Sequence, residues 1–285
     1  MTSGAPPVII LGMHRSGTSV LCNLLQKFGL FMGKKQYTQE AVFFLRLNEW
    51  VLAESGGSWD YPEPLTKILE DPDLENMFVS ELQRSLTHPL LISYLGLGGY
   101  LCKRGVSNLQ FPWGWKDPRN VFTLPLWLRL FPDARVIYIE RHGVDVAASL
   151  RTRAISSFSQ YEKNQGWMDA YNHALTRRKL FWHSPRCLDL EGGFELWQTY
   201  ARRANYSLEI PPKENVLTVR YETFLSESYS VLEEVADFCR LSVSSDLLKS
   251  AASDINSNRA FAYHLDTELS EFAQSKKEEL KEFDY

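Results

Sequence analysis

The segment that most constrains the fold is a short apolar run at residues 7–11 followed by the turn Gly12-Met13-His14-Arg15-Ser16-Gly17-Thr18-Ser19. Residues 19–28 then carry apolar side chains at helical spacing and stop at Gly29. A buried strand, a tight turn and a helix in this order direct successive backbone N–H groups, and the positive end of the helix dipole, into one concavity. The segment therefore predicts a loop that binds a phosphate-like anion, and a strand-turn-helix that binds nothing is the alternative.

The turn departs from the G-x-x-x-x-G-K-[ST] pattern of nucleotide kinases and ATPases. Gly12 and Gly17 have the spacing of that pattern, but Thr18 occupies the lysine position. Without the lysine, the β- and γ-phosphates of ATP lose their main cationic contact. Because the positive charge comes from Arg15 instead, the loop predicts an anion site other than an ordinary ATP site.

Strand and helix patterns alternate along the rest of the chain, which predicts a parallel sheet covered by helices. We expect one domain over residues 1–285, with a three-layer α/β/α fold of the P-loop NTPase type around a central parallel sheet. Further strands are expected at 111–116, 135–140 and 216–220, and helices at 40–53, 72–104 with breaks, 121–130, 144–153, 166–183, 194–208, 222–239 and 268–285.

Composition excludes several classes of protein. The 31 Lys and Arg against 35 Asp and Glu give a net charge of −4, which argues against broad nucleic-acid binding. The four cysteines are scattered, so neither a disulfide framework nor a zinc ribbon is expected, and a reducing cytoplasm fits. No apolar run reaches the roughly 18 residues that a membrane span needs, and the N-terminal residues are a poor signal peptide. The oligomeric state cannot be read from these features.

A second anion-binding segment follows the strand at 135–140. Arg141 stands at the carboxyl end of this strand, where open α/β sheets bind ligands. Ser149 comes eight residues later, about two turns into the next helix. A guanidinium and a hydroxyl together can hold one phosphate. The simpler alternative is that Arg141 pairs with Glu140 or Asp145.

These two segments together resemble the sulfotransferases that use 3′-phosphoadenosine 5′-phosphosulfate (PAPS). The first loop of that family carries a basic residue followed by S-G-T-[ST] and holds the 5′-phosphosulfate. Its second segment, R-x-x-x-D-x-x-x-S, holds the 3′-phosphate. The matching residues here are Arg15, Ser16, Gly17, Thr18 and Ser19 in the first segment, and Arg141, Asp145 and Ser149 in the second.

Two further stretches carry the resemblance, which extends over residues 8–241. The sequence Trp113-Gly114-Trp115-Lys116-Asp117-Pro118-Arg119 is similar to the K-D-P motif of tyrosylprotein and related bacterial sulfotransferases. Val219-Arg220-Tyr221-Glu222 is similar to the family's R-Y-E segment, whose tyrosine lies near the adenine. The resemblance is closest to bacterial sulfotransferases with the sequence GMHRSGTS.

The resemblance implies a mechanism without a metal, in which PAPS is the donor and the 3′,5′-bisphosphate (PAP) is the product. Arg15 stabilises the leaving oxygen, Lys116 contacts the transferring sulfuryl group, and Tyr221 lies at the adenine. Lys116 could instead pair with Asp117 or be solvated. His14 could contact phosphate or be structural, and Arg259 is a late candidate for the 3′-phosphate. The six histidines are dispersed and show no metal-ligand spacing.

The acceptor hydroxyl needs a general base, and Glu40 is the candidate, with Glu49 and His14 in reserve. Glu40 is expected to open the helix after the first crossover, at roughly the place where related enzymes carry a glutamate. Those relatives usually have aromatic-Glu-Asp there, whereas this chain reads Gln39-Glu40-Ala41. A glutamate in the first turn of a helix is also a common dipole stabiliser.

The acceptor is expected to be a carbohydrate, a phenol or tyrosine, or another small molecule with a hydroxyl group. Aromatic residues in the variable segments 33–69, 72–104 and 156–193 are candidates for its binding surface, although such residues often pack in the core. They include Trp50, Trp59, Tyr61, Trp167, Tyr171 and Trp182. Two other functions stay open, namely an atypical P-loop kinase for small molecules and a non-catalytic relative that only binds the nucleotide.

Overall fold

The computed structural model describes residues 4–163, 184–256 and 259–285, without the side chains of residues 160–163. The chain divides into two compact units. The first comprises Met1–Arg141 and Tyr200–Ala260, and the second comprises His142–Thr199 and Phe261–Tyr285. The helix expected at 166–183 lies outside the described residues, and the single domain over 1–285 stays a prediction.

The first unit is built on a parallel sheet, as the sequence predicts. The strands in this part of the described chain are β1 (Val8–Gly12), β2 (Gln36–Tyr37), β3 (Glu40–Ala41), β4 (Gly114–Lys116), β5 (Arg135–Glu140) and β6 (Val216–Arg220). Four of them form one parallel sheet in the order β4-β1-β5-β6. Strands β2 and β3 form a separate antiparallel hairpin. The predicted α/β fold class with a central parallel sheet is confirmed.

Helices connect and cover these strands. In the first unit they are α1 (Thr18–Lys27), α2 (Val42–Glu54), α3 (Leu65–Glu70), α4 (Pro72–Ser85), α5 (Ile92–Lys103), α6 (Asn120–Leu130), the C-terminal part of α8 (Leu190–Leu208), α9 (Tyr221–Ser226), α10 (Ser228–Phe238) and α11 (Ser245–Ser253).

Both faces of the central strand β1 are buried. Val8 and Ile10 belong to a hydrophobic cluster that also contains Leu21 and Leu25 of α1. The alternate residue Ile9, on the opposite face, is also completely buried. Successive side chains of a strand point to opposite faces, so helices must cover both sides of this sheet.

The pairing register brings the anion-binding segments to one edge of the sheet. Gly12 pairs with Ile139, and Glu140 pairs with Arg220. Parallel strands end at the same edge, so the loop after β1 and the residue after β5, Arg141, follow the same edge of the sheet.

The segment before α2 differs from the expectation. Glu40 was expected in the first turn of a helix, but the helix begins at Val42 and Glu40 pairs with Tyr37 in the hairpin. Thr38 and Gln39 form the two-residue turn with φ of 47° and 61°. Two central residues with positive φ make a turn that matches the twist of a hairpin. The interpretation of Glu40 as a first-turn dipole stabiliser is therefore wrong.

The second unit contains α7 (Gly143–Lys163), the N-terminal part of α8, α12 (Thr267–Ser275) and α13 (Lys277–Lys281). Within it, the ring of Trp197 lies 4.7 Å from that of Phe283, and Arg151 pairs with Glu268 at 2.6 Å. In the described residues of the two units, no helix combines the length and hydropathy needed to cross a bilayer.

Candidate active site

The glycine-rich loop adopts a conformation that its glycines make available. Gly17 precedes α1 with φ of 95°, and a Cβ at this position would lie 2.4 Å from the ring of Tyr221. Gly12 has φ of 151°, and a Cβ there would lie 2.4 Å from the carbonyl oxygen of Ile139. Arg15 also has a left-handed φ, 72°. Such alternation of backbone conformation between β1 and α1 produces the concave N–H array that binds anions.

Three arginines of the first unit converge beside this loop. Arg141 donates from Nη1 to the Arg15 carbonyl at 3.1 Å and from Nη2 to the Arg259 carbonyl at 3.3 Å. Burial and the guanidiniums of Arg141 and Arg259 lower the pKa of Arg15. These groups repel one another, so a bound anion would relieve the repulsion and gain charge-assisted hydrogen bonds.

Tyr221 links the loop to the arginines. Its buried ring packs against Gly17, and the guanidinium of Arg141 lies 4.6 Å from the ring centre. A cation over an aromatic face is an attractive contact, and it fixes the direction of the guanidinium. The role of Tyr221 at the adenine stays a prediction.

The hydroxyl groups of the loop have different surroundings. Ser16 is buried, and its Oγ donates to the Met13 carbonyl at 2.6 Å, which closes the turn. Thr18 is also buried, at the first position of α1. Ser19 accepts a hydrogen bond at Oγ from Lys116 Nζ at 3.3 Å. The loop is therefore joined directly to the K-D-P segment.

Lys116 lies at the end of β4 and is only 2% exposed. Its Nζ donates to Glu40 Oε1 at 2.9 Å, to the Thr38 carbonyl at 3.2 Å and to Ser19 Oγ at 3.3 Å. Neither simpler interpretation describes it, since the ammonium is not solvated and Asp117 is paired with Arg119 instead. The ammonium therefore joins the phosphate loop to the hairpin.

Glu40 is buried beside Lys116 and is held by the hairpin. Thr38 Oγ1 lies 3.2 Å from Glu40 Oε2. Burial raises the pKa of the Glu40 carboxyl above its ordinary value, and this effect outweighs the opposing effect of the Lys116 ammonium. A raised pKa makes the carboxylate a stronger base, as proton transfer from an acceptor hydroxyl requires.

A buried polar network, which the sequence analysis missed, supports the K-D-P segment. Asn48 of α2 donates from Nδ2 to Asp117 Oδ2 at 3.0 Å and to Asn120 Oδ1 at 2.8 Å. Its Oδ1 accepts from Thr123 Oγ1 and Trp127 Nε1, both at 2.9 Å. All four hydrogen-bonding positions of this amide are used. Asn48 therefore fixes α2 against the segment that carries Lys116.

Replacing Asn48 with alanine is expected to lower the free energy of unfolding by about 3 kcal/mol or more, since each buried polar group left unsatisfied costs about 1–3 kcal/mol. Urea unfolding of the purified variant measures this change. The matched control is Asn23→Ala on α1, an exposed residue, for which a change within about 0.5 kcal/mol is expected. Equal losses in the two variants would contradict the structural role of Asn48.

Arg119 was also missed as a member of the site. It is buried and pairs with Asp117 at 3.1 Å and with Glu49 at 3.0 Å. Burial opposes its charge, but Asp117 and Glu49 together raise the pKa of Arg119. The reserve base Glu49 is thus engaged with a guanidinium. The only sequence signal for Arg119 was its position directly after the K-D-P motif.

The ring of His14 packs against two aromatic side chains. Its ring centre lies 4.8 Å from Trp59 and 6.1 Å from Tyr200. Tyr200 donates from its hydroxyl to the Trp59 carbonyl at 2.7 Å and packs on Phe122 with ring centres 4.7 Å apart. Of the predicted acceptor aromatics, Trp59 therefore adjoins the loop, Trp50 packs on Phe78, and Tyr61 is exposed.

Other predicted residues lie elsewhere or outside the described part. Ser149 is half-buried on α7 in the second unit, and its joint action with Arg141 stays a prediction. Glu140, one expected partner of Arg141, pairs with Arg220 at 2.8 Å. Trp167, Tyr171 and Trp182 fall outside the described residues. Within the described residues, no three His, Cys, Asp or Glu side chains are grouped so as to hold a metal ion.

The fold is α/β of the P-loop type, and three arginines lie beside its glycine-rich loop. Residues 6–245 match the model of the Sulfotransferase family. The chain therefore belongs to the sulfotransferase family, and it is a transferase. No match was found among curated proteins.

Solved structures with a similar fold include sulfotransferases from three bacteria. The sulfotransferase domain of the Synechococcus PCC 7002 olefin synthase is 20% identical, with 90% of this chain and 83% of that chain covered and a TM-score of 0.46. The sulfotransferase from Alicyclobacillus acidocaldarius is 16% identical, with 88% and 92% covered and a TM-score of 0.47. STF1 from Mycobacterium tuberculosis H37Rv is 14% identical, with 88% and 72% covered and a TM-score of 0.44.

Proposed function

We propose that this protein transfers the sulfuryl group of PAPS to an acceptor hydroxyl, without a metal, and releases PAP. The observation that carries the proposal is the position of Lys116, whose ammonium lies within 3.3 Å of both Glu40 and Ser19. A carboxylate, an ammonium and a phosphate-type loop are thereby held together. Acceptor activation and stabilisation of the transferring group require these three elements at one place.

The first unit offers groups that fit the two anionic ends of such a donor. The loop and the first turn of α1 suit the 5′-phosphosulfate, because helix N-termini bind anions. Arg141 and Arg259 suit the 3′-phosphate, with Tyr221 beside them. A guanidinium group can bind a phosphate through two parallel hydrogen bonds. In this proposal PAPS supplies an activated sulfuryl group, and the phosphate to which this group is bonded is the leaving group.

Each side chain then has one task. Glu40, as carboxylate, accepts the proton of the acceptor hydroxyl while the hydroxyl oxygen forms its bond to sulfur. Lys116 exchanges its hydrogen bond to Ser19 Oγ for one to an oxygen of the transferring group. Arg15 places positive charge where the bond to the leaving oxygen breaks, and PAP leaves as the anion. His14, within the loop, would contact the 5′-phosphosulfate.

The direct test incubates the protein with PAPS carrying radiolabelled sulfur and a panel of acceptors, without added metal. The panel contains monosaccharides and disaccharides, simple phenols, tyrosine peptides and aliphatic alcohols. We expect labelled sulfate ester and an equal amount of PAP with at least one class. Transfer of labelled γ-phosphate from ATP with Mg²⁺ would instead identify a kinase. Tight binding of PAP without transfer to any class would identify a non-catalytic relative.

Replacing Lys116 with methionine is expected to lower turnover by about 10- to 100-fold, because a hydrogen bond to a charged group contributes about 1.5–3 kcal/mol. It should also move the acidic limb of the pH–rate profile to higher pH. The reason is that Lys116 lowers the pKa of Glu40, and the variant loses that effect. The exposed Lys213→Met serves as control. An unchanged limb in Lys116→Met would contradict the coupling of Lys116 to Glu40.

We also propose that the enzyme acts in a reducing, cytoplasmic compartment. All four cysteines, Cys22, Cys102, Cys187 and Cys239, are free thiols in the structure. Burial raises the pKa of Cys22 to about 11 and of Cys239 to about 12, which keeps these thiols protonated and unreactive.

A further inference from the structure

One surface of the first unit combines exposed leucines with positive charge. It consists of Leu90, Leu97 and Leu101, together with Lys34, Lys35, Lys103 and Arg104, and we call it the leucine–lysine surface. The three leucines are 63%, 61% and 64% exposed. Leu97 and Leu101 are four residues apart on α5, so they lie on the same helix face. Single exposed leucines are ordinary on surfaces, whereas neighbouring exposed leucines form an apolar patch that can mark an interaction site.

The backbone holds this surface in a defined shape. Gly96 interrupts α5 with φ of 74°, and a Cβ on Gly96 would lie 3.5 Å from Cγ of Lys34. The loop that carries the lysines is bound to the helix, since Lys34 and Lys35 donate from their backbone N–H groups to the carbonyls of Tyr94 and Ser93 at 2.8 and 3.0 Å. The cations at 34 and 35 therefore lie beside the kink, and those at 103 and 104 lie at the end of the helix.

The two chain segments that carry this surface contain basic but no acidic side chains. Residues 82–116 contain no Asp or Glu, whereas about four would be expected at the chain's average, and residues 28–39 contain none either. This distribution contrasts with the net charge of −4 for the whole chain. A second copy of the same surface would bring like charges together, which disfavours self-association through it. A partner that complements this surface has a negatively charged exterior above an apolar layer.

We infer that the leucine–lysine surface docks on anionic phospholipid bilayers. Leu97 and Leu101 enter the interface between headgroups and acyl chains, as the apolar face of an interfacial helix does. The four cations then contact anionic headgroups, whose surface potential attracts juxtamembrane Lys and Arg. Lys35 directly precedes the hairpin that carries Glu40, so docking brings this hairpin to the bilayer surface. The inference does not depend on the proposed reaction.

The test is co-sedimentation of the full chain with phosphatidylcholine vesicles and with vesicles containing 30 mol% phosphatidylglycerol. We expect binding to the anionic vesicles only, and a loss of binding as salt is raised. Lys34→Gln with Lys35→Gln should weaken binding about 30-fold, at roughly fivefold for each cation. Lys213→Gln with Lys249→Gln, two exposed lysines elsewhere in the first unit, should leave it unchanged.

The apolar contribution is tested without a change in charge. Leu97→Ser with Leu101→Ser should reduce vesicle binding at least about 100-fold, because each buried leucine contributes about 1.5–3 kcal/mol. Leu265→Ser, at a leucine that is 87% exposed, is the matched control. Thermal unfolding of each variant confirms folding. Equal binding to neutral and anionic vesicles, no binding to either, or concentration-dependent dimerisation abolished by the double serine variant would overturn the inference.

Discussion

Replacing Glu40 with glutamine is expected to lower the turnover number of sulfuryl transfer by about 10²–10⁴-fold, which is the usual contribution of a general base. Glutamine keeps the size of the side chain and can still accept a hydrogen bond from Lys116, but it cannot take up the proton of the acceptor hydroxyl. Steady-state kinetics with PAPS and the best acceptor from the panel measure the change. Glu49→Gln, on α2, tests the alternative that Glu49 is the general base. A larger loss of turnover in Glu49→Gln than in Glu40→Gln would contradict the role of Glu40.

The pH dependence gives this prediction a second readout. A base acts only when deprotonated, so activity rises with pH through the pKa of Glu40, and burial places this pKa above its ordinary value. The profile of kcat/KM should lose this acidic limb in Glu40→Gln. Stability should respond with the opposite sign. A carboxyl whose pKa is raised in the folded state binds more protons there, so unfolding free energy falls as pH rises through that window. Glu40→Gln should lose this dependence as well.

Replacing Arg15 with alanine is expected to lower turnover by about 10²–10³-fold, by analogy with the loss of one donor from an oxyanion hole, about 2.7–4 kcal/mol. Arg15→Lys keeps the charge and should retain more activity than alanine. The mechanism places the effect mainly in turnover, since the leaving oxygen gains charge only as the bond breaks. Full activity in Arg15→Ala would refute the assignment of Arg15 to the leaving oxygen.

The backbone at Arg15 requires a matched control. Its φ of 72° is left-handed, and alanine, which keeps the Cβ, should bear the same backbone strain there as arginine does. Arg240 is an exposed arginine with φ of 54° outside the site. Arg240→Ala should therefore leave both thermal unfolding and kinetics nearly unchanged. Similar kinetic losses in the two variants would assign the effect to the backbone.

The strands and the phosphate loop could be predicted from the sequence because their signals are local. A buried apolar run beside a glycine-rich turn leaves few alternatives, and the sheet places β1 and β5 as expected. The hairpin before α2 could not be predicted in this way. Its turn residues, Thr38 and Gln39, are not the Asn-Gly or Asp-Gly pairs that announce such turns. The helical spacing of apolar residues from Phe43 onward also gives no signal that the helix begins at Val42 and not at Glu40.

The contacts of the site could be predicted only in part. Sequence motifs identified Arg15, Arg141 and Lys116 individually. The distances between these side chains depend on the register of the strands, which the motifs do not give. The role of Asn48 could not be predicted from the sequence. A single polar residue on an apolar helix face gives no indication of its hydrogen-bond partners, and the four partners of Asn48 are known only from the structure. Tertiary partners of this kind lie 69 or more residues away in the chain.

The most direct test of the account is a titration with PAP, without metal, followed by the thermal midpoint. PAP at 100 times its Kd should stabilise the fold by about 2.7 kcal/mol. Arg141→Ala should abolish this shift, while Arg240→Ala should keep it, and ATP with Mg²⁺ should have little effect on the wild type. A shift with ATP and Mg²⁺ but none with PAP would contradict the account and identify a divergent kinase.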